Sequence, residues 1–92
     1  MPKKAKELSA IEVKRLVAPG FFAVGGVPGL HLRVNEGEGR SWILRAVVND
    51  ARRDIGLGGY PDVSLSAARE AARAAREKIR GGVDPVEERA DA

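Results

Sequence analysis

Residues 55–69 read IGLGGYPDVSLSAAR, and how this stretch is read decides the fold. Ile55 and Leu57 alternate with Asp54 and Gly56, the period-2 pattern of a half-buried strand. Gly58, Gly59 and Pro61 are expected to stop that strand. Glycine reaches backbone angles closed to other residues, and Pro61 lacks a ladder donor. Tyr60 places a large ring on this turn, as a plug for the corner. The Ser64 side-chain oxygen is positioned to accept from a free first-turn N–H, which marks the start of a helix. The stretch is therefore the joint between the last strand of a small sheet and the only long helix.

Downstream, the helix is predicted over 65–80. Leu65, Ala68, Ala72, Ala75 and Ile79 are spaced 3, 4, 3 and 4 residues apart and form one apolar stripe. Its small side chains imply close approach to the sheet. Arg69, Arg73, Arg76 and Arg80 form a second stripe beside it, read either as a solvated helix face or as a line of cations for phosphate. Gly81-Gly82 ends the helix. Val83-Asp84-Pro85 is a stiff turn. The expected organisation is a basic tail over 1–7, a folded domain over 8–82 and a linker over 83–92 leading to further domains.

Upstream, Ser9 and Glu12 fit a capping box, so a helix of about two turns begins there, with Ile11, Val13, Leu16 and Val17 apolar and Pro19-Gly20 as its end. Residues 21–24 form a short strand. Gly25, Gly26, Pro28 and Gly29 make the next turn. No Lys-Ser/Thr pair follows to make a phosphate cradle of it. Leu30, Leu32 and Val34 alternate with His31 and Arg33. Over 41–48, Trp42, Leu44, Ala46 and Val48 share one face, and Ser41, Ile43, Arg45 and Val47 the other. Asn49-Asp50 signals a hairpin without the usual glycine, and residues 52–57 return. The fold class is α+β: a three- to four-stranded antiparallel sheet packed on one carboxyl-side helix, with a short amino-terminal helix.

Ninety-two residues make one small domain. No cysteine is present, which excludes disulfides and thiolate metal sites, and His31 is the sole histidine. No apolar run approaches the roughly 20 residues of a membrane span, and the basic start lacks the apolar segment of a secretory signal. A cytoplasmic protein is expected. The net charge of +3 is unevenly spread: residues 1–60 hold ten Lys/Arg and six Asp/Glu, whereas 83–92 hold one and four. The folded part is basic, which suits a polyanion. No Ser-His-Asp or Cys-His set can be assembled, and Glu36 and Glu38 have no metal-ligand companions. The chain reads as a non-catalytic module, with no cofactor and no small-molecule substrate.

One helix covers one side of such a sheet. The other side shows His31, Arg33, Ser41, Ile43, Arg45 and Val47, with Arg52 and Arg53 at or beyond the hairpin end. Sheet side chains reach base edges in the DNA major groove, and hairpin ends reach phosphates. Arg33 and Arg45 are placed for guanine. Lys3, Lys4 and Lys6 form either a solubilising tail or a basic arm for the phosphate backbone. The alternative is a solvent-facing sheet, or a protein-interaction surface using Ile43, Val47 and the helix arginines.

Gly29-Leu30-His31-Leu32-Arg33-Val34, then Ser41-Trp42 with Arg45, then the run from Leu57 to Leu65 with Ala68-Arg69, then Gly82-Val83-Asp84-Pro85, resemble the amino-terminal domain of prophage and genomic-island integrases of the tyrosine recombinase family. The resemblance spans residues 8 to 88. It implies a small antiparallel sheet on a carboxyl-side helix. It also implies binding of double-stranded DNA at arm-type sites flanking the attachment core, in a bacterial, nucleoid-associated setting. Later domains of the same integrase, and other protomers, would be the protein partners. The catalytic tyrosine lies in a later domain of such proteins, so Tyr60 is not the nucleophile. Members often carry an aromatic residue where His31 stands and more basic or aromatic residues near Ile43, Ala46 and Val47. Here Ile43 and Val47 give the open face an apolar character, suited to thymine methyls or to another protein surface.

Overall fold

The computed structural model describes residues 7–37 and 39–84. Lys3, Lys4 and Lys6 lie outside the described residues. The elements run α1 (Ala10–Lys14), β1 (Gly20–Ala23), β2 (Leu30–Val34), β3 (Arg40–Val48), β4 (Ala51–Tyr60) and α2 (Leu65–Arg80). The strands form one antiparallel sheet in the order β1-β2-β3-β4. The class is α+β, with both helices contributing to the core on one face of the sheet. No helix among the described residues is long and apolar enough to cross a membrane.

Local chemistry sets each boundary. The Ser9 hydroxyl accepts from the Glu12 amide at 3.2 Å, and the Glu12 carboxylate accepts from the Ser9 amide at 3.2 Å, closing the capping box. The helix it starts is shorter than its sequence suggested and ends at Lys14, well before Pro19. Only Val13 of its apolar residues is buried; Ile11 and Val17 stay exposed. The Arg40 guanidinium donates to the Lys14 carbonyl at 3.3 Å, where the last carbonyls of a helix lack internal partners. At the other helix, the Ser64 hydroxyl accepts from the Ala67 amide at 3.1 Å, as expected of an N-cap.

The β3–β4 turn places Asn49 at φ 51° and Asp50 at φ 66°. Two left-handed residues match the strand twist, and Asn and Asp tolerate that region without glycine. β4 corrects the reading of residues 58–60. It runs through Gly58 and Gly59 to Tyr60, because the ladder continues across a bulge. Trp42 pairs with Gly58 and Ile43 with Gly56, leaving Leu57 as the extra residue. Strand β1 begins at Gly20, and Val24 falls just beyond it as a buried core residue.

The core joins Leu30, Leu32, Val34, Trp42, Leu44 and Ile55 of the sheet to Leu65, Ala68, Ala72 and Ala75 of α2. Val13, Val24 and Val27 complete it. Alanines on the helix let it lie close to the sheet, and that room is filled by Trp42, which is 0% exposed. Burying an indole of about 150–250 Å² contributes roughly 4–6 kcal/mol. Its Nε1–H donates to the Val63 carbonyl at 2.7 Å, so burial leaves no unpaired donor. Tyr60 meets Trp42 edge-on, with centroids 5.9 Å apart, and fills the corner.

The arginine stripe of α2 is not one uniform solvated face. Arg69 turns inward. Its Nη2 donates to the carbonyls of Leu8 (2.8 Å) and Val24 (3.2 Å), and its Nε to that of Gly25 (3.4 Å). Gly26, at φ +81°, leaves the necessary room: a Cβ there would lie 2.5 Å from Arg69 Nε. Arg69 thereby ties the segment before α1, and the turn after β1, to the long helix.

Candidate nucleic-acid interface

The strand register assigns the side chains of the sheet's other face. Phe21 pairs with Arg33, Ala23 with His31, His31 with Ile43, Arg33 with Ser41, Arg45 with Asp54 and Val47 with Arg52. His31, Arg33, Ser41, Ile43, Arg45, Val47 and Arg52 therefore share one surface, and neither helix covers it. Arg33, Arg45, Val47 and Arg52 are exposed, whereas His31, Ser41 and Ile43 are half-buried.

Arg53 does not join them. It pairs with Ala46 on the helix side of the sheet. Its Nε lies 3.3 Å from an Asp84 carboxylate oxygen, and the Asp84 side chain is only 3% exposed. The two-residue turn fixes this outcome. With Val48 opposite Ala51, Arg52 must fall opposite Val47 and Arg53 opposite Ala46. Asp84, placed in the linker on sequence grounds, packs against the domain.

Two residues missing from the sequence-derived set complete the surface. Phe21 is 44% exposed and stands on the edge strand. The Arg45 guanidinium sits 4.2 Å from its ring centroid, and that of Arg33 sits 5.9 Å away. A ring face attracts a guanidinium and holds it at a defined height. Sequence alone does not say which of Phe21 and Phe22 points outward, since that depends on pairing with β2. Asp54 is the second. Its carboxylate forms an ion pair with Arg45, 3.4 Å from Nε, with both side chains about half exposed. The pair is screened by water and weak, but it sets the direction of Arg45.

His31 Nδ1 lies 2.7 Å from the Gly29 carbonyl oxygen. A carbonyl only accepts, so Nδ1 carries a proton. The open face thus combines two guanidinium forks, an imidazole, a hydroxyl and the apolar surfaces of Phe21, Ile43 and Val47. Among the described residues, no group of three or more His, Cys, Asp or Glu gathers to hold a metal.

Dimensions match the chemistry. Neighbouring strands lie about 4.8 Å apart. Two central strands with their side chains suit a DNA major groove about 12 Å wide. β2 and β3 carry His31, Arg33, Ile43 and Arg45, while β1 and β4 flank them. Guanidinium forks match the O6/N7 edge of guanine, and aliphatic groups match the thymine methyl.

The family model described as Arm DNA-binding domain matches residues 4–92. No curated protein matches the chain.

Proposed function

The chain belongs to the Arm DNA-binding domain family, and we propose that it is the sequence-reading amino-terminal module of a phage-type integrase. In this reading it binds arm-type sites during site-specific integration and excision. The observation that carries the proposal is the uncovered sheet face, on which Arg33 and Arg45 converge on the Phe21 ring. Packing on the Phe21 ring orients both guanidiniums before any partner arrives, and an ion pair with Asp54 also holds that of Arg45, so less freedom is lost on contact with bases.

The sheet enters the major groove with β2 and β3 over the base edges. Arg33 and Arg45 donate to guanine, Ile43 and Val47 cover thymine methyls, and Arg52 at the hairpin end faces a phosphate. The recombination chemistry belongs to a later domain of a tyrosine recombinase encoded by a prophage or similar mobile element. The module acts with those later domains, and with other protomers, in the bacterial cytoplasm at the nucleoid. Its own part is to hold the enzyme at accessory sites.

An NMR titration tests this. The probes are a duplex enriched by the domain from a randomised pool and a shuffled duplex of the same composition. Shifts centred on Phe21, Arg33, Arg45 and Arg52, larger with the enriched duplex, are expected. Equal shifts with both, abolished by salt, would reduce the domain to a backbone binder. Concentration-dependent self-association through Ile43 and Val47 with no duplex response would instead make this face a protein interface.

A further inference from the structure

The β3–β4 hairpin outruns its neighbour. β2 pairs with β3 only as far as Leu30 opposite Leu44, whereas β3 continues to Val48. Beyond Arg45 this edge of β3 is bare, and the carboxyl-terminal half of α2 lies beside it. The result is a groove of about 840 Å³ between hairpin and helix, lined by Arg45, Arg52, Arg53, Arg76 and Arg80.

The groove's backbone contributes as well. The Arg45 amide donates to the Gly29 carbonyl at 2.8 Å. Ladder amides alternate sides along a strand, so the Val47 amide points the same way, where β2 no longer runs. A main-chain donor therefore faces a notch rimmed by guanidiniums.

These cations are not all spent within the fold. Among the described residues, Arg52 has no carboxylate partner. Arg76 uses one of its five donors on the Pro28 carbonyl at 3.1 Å. Arg80 pairs with Glu77 at 3.3 Å, but both side chains are 73% exposed, so water screens the pair. Asp54, held by Arg45, is the one carboxylate in the lining. Positive charge predominates.

From this arrangement we infer that the notch is a phosphate seat for the duplex whose bases the open face reads. The inference rests on that reading of the sheet. Arg45, Val47 and Arg52 belong to both surfaces, so the notch continues the reading face around the hairpin end. A backbone leaving the major groove past Val47 meets Arg52, Arg76 and Arg80 in turn. The Val47 amide donates to a phosphate oxygen, and the guanidiniums neutralise its charge. The helix arginines thereby anchor the domain without reading sequence, and they fix how the sheet is inserted.

Salt-dependent affinity measurements on the 92-residue chain test the notch separately from the sheet. The probes are the enriched and shuffled duplexes, and the variants are Arg80→Gln, Arg52→Gln and their combination. Both side chains are exposed, so these variants are expected to fold. Each is expected to lower the salt slope by about one and weaken both duplexes by the same factor. The Val47 amide resonance should move with either duplex. Unchanged slopes and affinities in the double variant, with wild-type discrimination intact, would overturn the notch and leave the reading face standing. Loss confined to the enriched duplex would also overturn it, since that marks a base contact. A wild-type chain that enriches no duplex would remove both proposals together.

Discussion

Arg45→Ala separates a base-reading arginine from one that only supplies charge. In the free domain the Arg45 side chain has two partners, the Asp54 carboxylate at 3.4 Å and the Phe21 ring at 4.2 Å. A half-exposed ion pair is worth about 0.2–1 kcal/mol and an exposed cation–π contact about 0.5–1 kcal/mol. The substitution should therefore cost roughly 0.5–1.5 kcal/mol of stability, partly offset because Asp54 regains water. At about 4–8 °C per kcal/mol for a domain of this size, the melting temperature falls by about 2–12 °C. Binding responds differently. A bidentate contact to guanine carries about 1–3 kcal/mol of discrimination, so affinity for the enriched duplex should fall roughly 5- to 150-fold. The shuffled duplex loses only one cation's share. Fluorescence anisotropy with both duplexes, at a temperature far below the variant's melting point, gives the ratio. A ratio equal to that of the wild type would refute base reading by Arg45, even if both affinities dropped. Asp54→Asn supplies the complementary check: it removes a negative charge from the interface and should tighten the shuffled duplex while narrowing the ratio.

Four structural predictions accompany it. Gly58→Ala should destabilise the domain by about 2–4 kcal/mol, because Gly58 has φ +115° and a Cβ would lie 2.6 Å from Val63 Cγ2; chemical denaturation measures it. Trp42→Phe should cost about 2–4 kcal/mol by the same assay, since it leaves the Val63 carbonyl without its donor and opens space under α2. Ser64→Ala removes the helix cap and should cost about 1 kcal/mol, read as a small loss of thermal stability. Arg69→Lys should lower stability by about 1–2 kcal/mol, because a single ammonium nitrogen cannot span the carbonyls that the separate Nε and Nη2 donors reach. It should also leave the ratio of duplex affinities unchanged.

Much of this architecture was legible from local chemistry. Ser64 followed by apolar residues at 3- and 4-residue spacing defined α2 over Leu65–Arg80. Strict alternation defined β2. The readings that failed lacked a local signal. Glycine normally weakens a strand, yet Gly58 and Gly59 lie within β4, because a bulge at Leu57 admits them and Val63 packs where a side chain would stand. The capping box marked where α1 begins, but nothing local marked its end at Lys14, whose carbonyl accepts from Arg40 on the sheet. The side of the sheet that Arg53 takes was legible in advance. Asn49-Asp50 already implied a two-residue turn, and counting back from it separates Arg52 from Arg53.

The arginines show why charge is a coarse guide to a binding surface. Lys and Arg number 16 in the chain, and composition treats them alike. Arg40 covers the end of α1 and lies over the Tyr60 ring. Arg69 clamps three carbonyls, and Arg53 pairs with buried Asp84. Each meets an obligation of the backbone or of a buried carboxylate, and none adds to a reading surface. Arg33 and Arg45 instead rest on a ring whose other partner is water. A guanidinium held over an exposed phenyl group is oriented yet accessible, the combination that recognition of a base edge requires. Sequence reports the charge of both groups, but only pairing across the strands separates them. The proposed reading face is therefore a property of register, and a one-residue slip of β3 against β2 would move Arg45 into the core and Trp42 into solvent. The buried Trp42 indole and its bond to the Val63 carbonyl oppose that slip, so the residue that most stabilises the core also keeps the arginines on the outside.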